Sequence, residues 1–182
     1  MIFTPLSLKG AFVIEPRVFS DDRGMFYRYF CKNDFKEIGH DAEWVQLNHS
    51  VTLHAGTVRG MHYQLPPFAE IKLVKCIAGS VLDVIVDVRE DSPTFLQWVS
   101  VELSADNRKM IYIPAGFAHG FQAMENNSQL IYHHTAFYTP GHEAGIRYND
   151  PRVNIQWPLA ANHVSERDET HPLLTSSFNG IK

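Results

Sequence analysis

Short runs rich in hydrophobic residues, several alternating with polar ones, fill most of this chain. These runs are broken about every 8–12 residues by Gly, Pro, Asn, Asp or Ser, the spacing of short strands joined by turns. A period of two places alternate side chains on opposite faces of an extended backbone. The strongest run is Val81–Val88, VLDVIVDV, rich in the β-branched residues that suit a pleated surface. Leu82, Val84, Val86 and Val88 share one face, and Asp83, Ile85 and Asp87 share the other. Two acids in so apolar a run predict that its second face meets a polar cavity. Further strands are predicted over Phe12–Ile14, Arg17–Phe19, Met25–Phe30, Val45–Val51, 57–64, 71–77, Phe95–Leu103, Lys109–Ile113, Phe117–Met124 and Gln129–Tyr138. Within Val45–Val51, Gln46 and Asn48 fall on one face. Lys32–Gly39 is the best helix candidate, with Asn33 as its cap and Gly39 as its end. A turn or two of helix is also predicted near Ser165–Thr170. About ten short strands with almost no helix predict an all-β sandwich or barrel. From Tyr148 onward Asn, Pro and Ser become more frequent. Residues 158–182 read as an irregular tail laid over the barrel, and 1–182 as one domain.

Composition narrows the function classes. Apolar residues make up 45% of the 182 and charged residues 20%, enough for a buried core in an ordinary globular domain. The net charge of −4 gives no general affinity for nucleic acid or a membrane surface, so an anionic ligand must be held by locally placed Arg and Lys. Cys31 and Cys76 fit neither a metal motif nor a disulfide framework. The opening MIFTPLSLKG lacks the basic region and long apolar run of a signal peptide. A cytoplasmic protein is therefore expected.

The candidate chemistry concentrates in Thr57–Lys75, TVRGMHYQLPPFAEIKLVK. Pro has no amide donor, so Pro66-Pro67 marks a turn or sheet edge between two strands. His62 leaves on one strand and Lys72 returns on the next. Taken singly, a His or a Lys in a β-rich chain is usually an ordinary core or surface residue. Together, a titrating base, an ammonium and the Arg59 guanidinium suit a site for an anionic, carbonyl-containing small molecule.

Gly56, five residues, then His62 forms one motif, and Pro114-Ala115-Gly116-Phe117-Ala118-His119 forms Pro-x-Gly-x-x-His. The pair resembles the two signature motifs of the cupin superfamily, which implies a double-sheet jelly roll with a few short helices. Many cupins hold a transition metal through three His and one Glu. A metal-dependent oxygenase with a His62, Glu70, His119 facial triad for Fe(II) is therefore one expectation. Gln64 stands in the second His position and is a poor ligand, and Lys72 would set a cation beside the ion. The main expectation is a site with no metal and no cofactor.

A closer resemblance spans nearly the whole chain. It rests on Asp22-Arg23-Gly24-x-Phe26, Gln46-x-Asn48, Arg59-Gly60-x-His62-Tyr63-Gln64, Lys72-Leu73-Val74 and Asp83-Val84-x-Val86-Asp87-x-Arg89. It continues through Ser92-Pro93-Thr94-Phe95, Ile113-Pro114-x-Gly116-Phe117-Ala118-His119-Gly120-Phe121, Gly145-Ile146-Arg147, Asn149-Asp150-Pro151 and Trp157-Pro158. In order and spacing these pieces resemble the dTDP-4-dehydrorhamnose 3,5-epimerase family. The resemblance implies a nucleotide-diphospho-4-keto-6-deoxyhexose substrate, inversion at C3, C5 or both, and a place in deoxysugar, polysaccharide and lipopolysaccharide biosynthesis. It implies that His62 is the base, Asp168 its partner, Tyr132 the proton donor on the opposite face and Lys72 the cation at the enolate oxygen. His119 and Asp83 would complete the sugar pocket, Arg59 and Arg23 would meet the diphosphate, and Tyr138 would stack on the nucleotide base. Phe26, Arg28, Gln46, Asn48, Glu143 and Arg167 are also implied as substrate-binding. A homodimer is implied as well, with about the first 50 residues exchanged, so that Arg23 and residue 28 serve the neighbour's site. Two departures stand out. Arg28 occupies a usual Glu position, which raises a CDP-linked sugar as an alternative to a thymidine-linked one. Ala136 and Phe137 replace an acid and a Tyr. A catalytically inactive binding module is a third class, disfavoured by the joint presence of His62, Lys72, Tyr132 and Asp168.

Overall fold

A computed structural model describes residues 1–182. Its strands are β1 (Ile2–Pro5), β2 (Phe12–Glu15), β3 (Val18–Asp21), β4 (Gly24–Tyr27), β5 (Gln46–Thr52), β6 (Val58–Gln64) and β7 (Lys72–Ala78). They continue with β8 (Ser80–Asp87), β9 (Trp98–Ser104), β10 (Met110–Ile113), β11 (Phe117–Ala123), β12 (Ser128–His134) and β13 (Glu143–Gly145). Two short helices, α1 (Lys32–Phe35) and α2 (Glu166–Thr170), complete the set, with a 3-10 turn over Lys36–Ile38. One sheet has the order β1-β2-β10-β7-β12-β5 and the other β13-β6-β11-β8-β9, while β3 and β4 pair alone. Antiparallel pairing of strands distant in sequence, folded into two facing sheets, is the jelly roll that the motifs imply.

The periodicity explains the layers. Val81 and Ile85 on β8 point between the sheets and meet Val74 and Cys76 of β7, Ile111 of β10, Leu130 of β12 and Phe121 of β11. Val84, Val86 and Val88 point the other way and pack with Met61, Tyr63 and Ile146. The C-terminal tail covers this outer face through Val153, Ile155, Trp157, Leu174 and Phe178. A third cluster backs the six-stranded sheet, where Phe35 of α1 packs on Ile14, Leu73, Met110 and Tyr112. Three apolar layers therefore sandwich two sheets.

Several boundaries differ from the sequence reading. The strand expected over Met25–Phe30 ends at Tyr27, because Tyr29 and Phe30 turn into the cluster around Phe35. The strand expected from Phe95 begins at Trp98, since Leu96 has φ 60 and Ser92–Gln97 folds as turns. The strand expected to reach Tyr138 stops at His134. Asn33 does not cap α1: Cys31 occupies that position, without a side-chain bond, although Gly39 does end the helical segment at φ 77. Of the two acids on β8, Asp83 lies fully buried behind the cavity and meets it only through His119, which lines it. Asp87 accepts hydrogen bonds from Arg89, Ser92 and Thr94 and braces the loop after its strand. No helix is long and apolar enough to cross a membrane.

Candidate active site

The polar residues that strand alternation points between the sheets gather at one end of the barrel. They line a cavity of about 490 Å³ that continues into a second of similar size. His62 on β6 and His119 on β11 come from the five-stranded sheet, and Lys72 on β7, Tyr132 and His134 on β12 and Asn48 and Ser50 on β5 from the six-stranded one. Strict alternation would send Arg59 to the face opposite His62. The β6–β11 register shifts between His119 and Phe121, so Arg59 enters the same cavity. Gly60 permits that shift: a Cβ there would lie 2.5 Å from the Gly120 Cα, and its φ is 133.

Asp168 reaches the site from α2. Its Oδ1 lies 2.6 Å from His62 Nε2, and its Oδ2 accepts the Gly60 amide at 3.2 Å. The helix is held for this by Ser165, whose Oγ accepts the Asp168 amide. Burial works to raise the Asp168 carboxyl, but the hydrogen bonds and charge of His62 and the Gly60 amide outweigh it and hold it below its ordinary value. A carboxylate on Nε2 fixes the Nε2–H tautomer and leaves Nδ1 as the basic nitrogen.

Across the cavity, burial pushes the Tyr132 phenol well above its ordinary value, so it stays protonated near neutral pH. Ser50 lies 3.2 Å from its oxygen. Lys72 is buried, with Nζ 3.2 Å from Glu70 Oε1 and 3.4 Å from the His62 carbonyl. Glu70 also binds His134 Nδ1 at 2.8 Å. Burial alone would raise Glu70, yet the bonds and charges of His134 and Lys72 hold it low. The chain of contacts runs on from His134 to Asn48 and Gln46, whose Oε1 accepts the Tyr138 amide at 2.9 Å. Asp83 is fully buried with Oδ2 2.8 Å from His119 Nε2, and its other oxygen has no partner. Burial raises its carboxyl above the ordinary value.

The facial triad expected as one alternative is not assembled. Glu70 is engaged by Lys72 and His134, His119 by Asp83, and the Gln64 amide donates to the Phe68 and Phe137 carbonyls. These donors do not fit the iron of metal-dependent cupins.

Of the other implied residues, Gln46, Asn48, Tyr138, Glu143 and Arg167 line the second lobe, with Arg167 Nη2 3.4 Å from Glu143 Oε1. Arg23 and Phe26 sit on the exposed β3–β4 hairpin and line neither lobe within this chain. Arg28 follows that hairpin and pairs with Asp34 at 3.5 Å. The sequence reading missed His134, Ser50 and His171, and considered Glu70 only as a ligand in the alternative metal site rather than as an ion-pair partner of Lys72 and His134. His134 had a signal, since it shares a strand face with Tyr132.

An imidazole with one ring nitrogen free and a protonated phenol, brought to one cavity of a cupin-type jelly roll by opposing sheets, are groups that acid–base chemistry uses. The sequence matches the dTDP-4-dehydrorhamnose 3,5-epimerase family over residues 5–176. A protein of that name from Sinorhizobium fredii is 43% identical over an alignment covering 100% of this chain and 95% of its own. The Bacillus anthracis dTDP-4-dehydrorhamnose 3,5-epimerase structure, with TDP and PPi bound, superposes with a TM-score of 0.92 at 39% identity, covering 95% of this chain and 99% of that one. ChmJ, a 3'-monoepimerase from Streptomyces bikiniensis in complex with dTDP-quinovose, gives a TM-score of 0.87 at 36% identity, covering 93% and 86%. The chain belongs to the dTDP-4-dehydrorhamnose 3,5-epimerase family.

Proposed function

We propose that the protein epimerises dTDP-4-dehydro-6-deoxyglucose at C3 and C5, giving dTDP-4-dehydrorhamnose. The observation that carries this reading is the entry of His62 and Tyr132 into one cavity from opposite sheets. Inverting a carbon needs a base on one face of the sugar ring and a proton donor on the other. The 4-keto group acidifies the protons at C3 and C5. His62 Nδ1 takes the proton, and the C–H electron pair moves into an enolate whose oxygen faces Lys72, a cation already in place. Asp168 stabilises the imidazolium. Tyr132 then delivers its proton to the opposite face, and solvent restores both side chains. His119 and Asp83 hold the sugar, and Arg59 the diphosphate, with the geometry that guanidinium offers to phosphate.

The base lies in the second lobe against Tyr138, with Gln46, Asn48, Glu143 and Arg167 around it. Arg23, Phe26 and Arg28 act on the neighbour's site in a homodimer, through exchange of about the first 50 residues. Their exposure on a hairpin outside this chain's own cavity supports that reading. The single-domain boundaries, the cytoplasmic location and the role in polysaccharide synthesis belong to the same proposal. Proton NMR in deuterated water tests it: deuterium should enter at two ring carbons, with both centres inverted. Exchange at one carbon only would identify a monoepimerase. Full activity should persist in a chelator, and activity lost to chelation and restored by iron would overturn the mechanism.

A further inference from the structure

Only one set of three His, Cys, Asp or Glu side chains in this chain has its ligand atoms within 4.8 Å of one another: His62, Asp168 and His171. It is not the cupin metal set. It lies on the other side of His62, where β6 meets α2. His171 directly follows α2, and its ring sits edge-on to His62 with centroids 6.1 Å apart. Its Nε2 is buried and has no hydrogen-bond partner. Space for the ring exists because the residue paired with His62 on β13 is Gly145, where a Cβ would lie 2.3 Å from His171 Nε2.

An orphaned imidazole nitrogen beside a His–Asp pair forms an incomplete coordination shell. Zinc binds His nitrogen at about 2.0–2.1 Å and carboxylate oxygen at about 2.0–2.2 Å, with tetrahedral geometry. Two imidazoles and one carboxylate supply three positions, and water from the cavity that His62 and Asp168 line supplies the fourth. We propose that His62, Asp168 and His171 bind one zinc ion, or a divalent ion of similar preference, and that this ion reversibly inhibits the enzyme. The ion takes the place of the proton between His62 Nε2 and Asp168. With Nε2 bound to metal, the imidazole proton moves to Nδ1, so the lone pair that would abstract a proton is gone. No proton is gained or lost in that exchange. Arg147, which donates to the His171 carbonyl, and Arg167 on α2 add positive charge nearby and keep the binding moderate and reversible. The inhibitory half rests on His62 being the base; the site itself does not.

Calorimetry with zinc chloride on chelator-treated protein should give one ion per chain. Loss of an outer partner alone costs metal sites about 10–100-fold in affinity, so His171→Ala should weaken binding by at least that much. Equal zinc affinity in His171→Ala overturns the proposal. So does loss of binding in a Glu70→Gln, His119→Asn variant with His171→Ala unaffected, which would put the ion in the cupin position. Anomalous diffraction from zinc-soaked wild-type crystals is independent of any variant's folding. An ion within bonding distance of the three side chains supports the site, and an ion elsewhere, or none, refutes it. Zinc should inhibit the wild type at concentrations where it binds, and His171→Ala should need at least tenfold more, each rate taken relative to that protein without zinc. Zinc bound at these residues without inhibition upholds the site but overturns both the inhibitory role and the assignment of His62 as base.

Discussion

His62 and His119 are partners in register on β6 and β11, and each has an Asp oxygen on its Nε2, at 2.6 Å and 2.8 Å. The carboxylates nevertheless shift in opposite directions. Asp168 is held below its ordinary value and Asp83 above it. Burial pushes both up. Asp168 has a second donor in the Gly60 amide, whereas one oxygen of Asp83 has none. The deeper burial of Asp83 and its smaller number of donors together decide which pair holds a firm negative charge. Asp168 is therefore suited to orient a base and stabilise its imidazolium, and Asp83 to share a proton with His119 in a closed corner of the pocket.

The largest expected effect falls on the first pair. His62→Ala should lower kcat by about 10²–10⁴, the usual contribution of a general base. Asp168→Asn should lose somewhat less, because the imidazole keeps a partner but not a charged one. If Asp83→Asn costs as much rate as Asp168→Asn, the two pairs are equivalent and the comparison fails.

Tyr132→Phe separates the two faces of the sugar. It should keep deprotonation at His62 and lose protonation from the other sheet. Deuterium should then exchange into substrate without inversion, and normal epimerisation would remove Tyr132 from its role.

A smaller effect is visible in stability against pH, measured in a chelator. A depressed Asp168 contributes stability above its ordinary value of 3.8, lost as pH falls through the folded value. The wild-type advantage in Tm over Asp168→Asn should therefore shrink in acid. A raised Asp83 has the reverse sign, with its contribution complete below 3.8 and lost as pH rises through the folded value. The Tm of Asp83→Asn relative to wild type should accordingly rise with pH. Parallel curves for the two variants would contradict the opposite shifts.

The smallest effect concerns the nucleotide base, remote from both pairs. Arg28 pairs with Asp34 on the surface of its own chain, so the departure from Glu is not expected to change the base. Calorimetry should find dTDP bound more tightly than CDP. Tighter CDP would restore the cytosine alternative.

Much of the architecture is written locally. Alternation in Val81–Val88 reports a strand with one apolar face and one that carries Asp83 and Asp87, because side-chain direction follows from the pleat alone. Gly39 ends its helix because a left-handed residue is cheapest as glycine. The motifs that carry the family resemblance contain His62 and Lys72, whereas Tyr132 lies in none of them. Other features depend on distant partners. Tyr29 and Phe30 leave the expected strand because Phe35 and its cluster offer deeper burial. Glu70 is an ion-pair partner rather than a ligand because His134, 64 residues away, binds its second oxygen. Arg59 shares the cavity of His62 only through the bulge against β11, which reverses the phase that alternation assigns. Asp168 meets His62 across 106 residues of chain. The sequence determined which faces are apolar and where turns fall, since those follow from backbone geometry and neighbouring side chains. Which polar groups become partners, and hence which carboxylate is charged, was decided only by tertiary structure, because burial and donor count are set by residues remote in the chain.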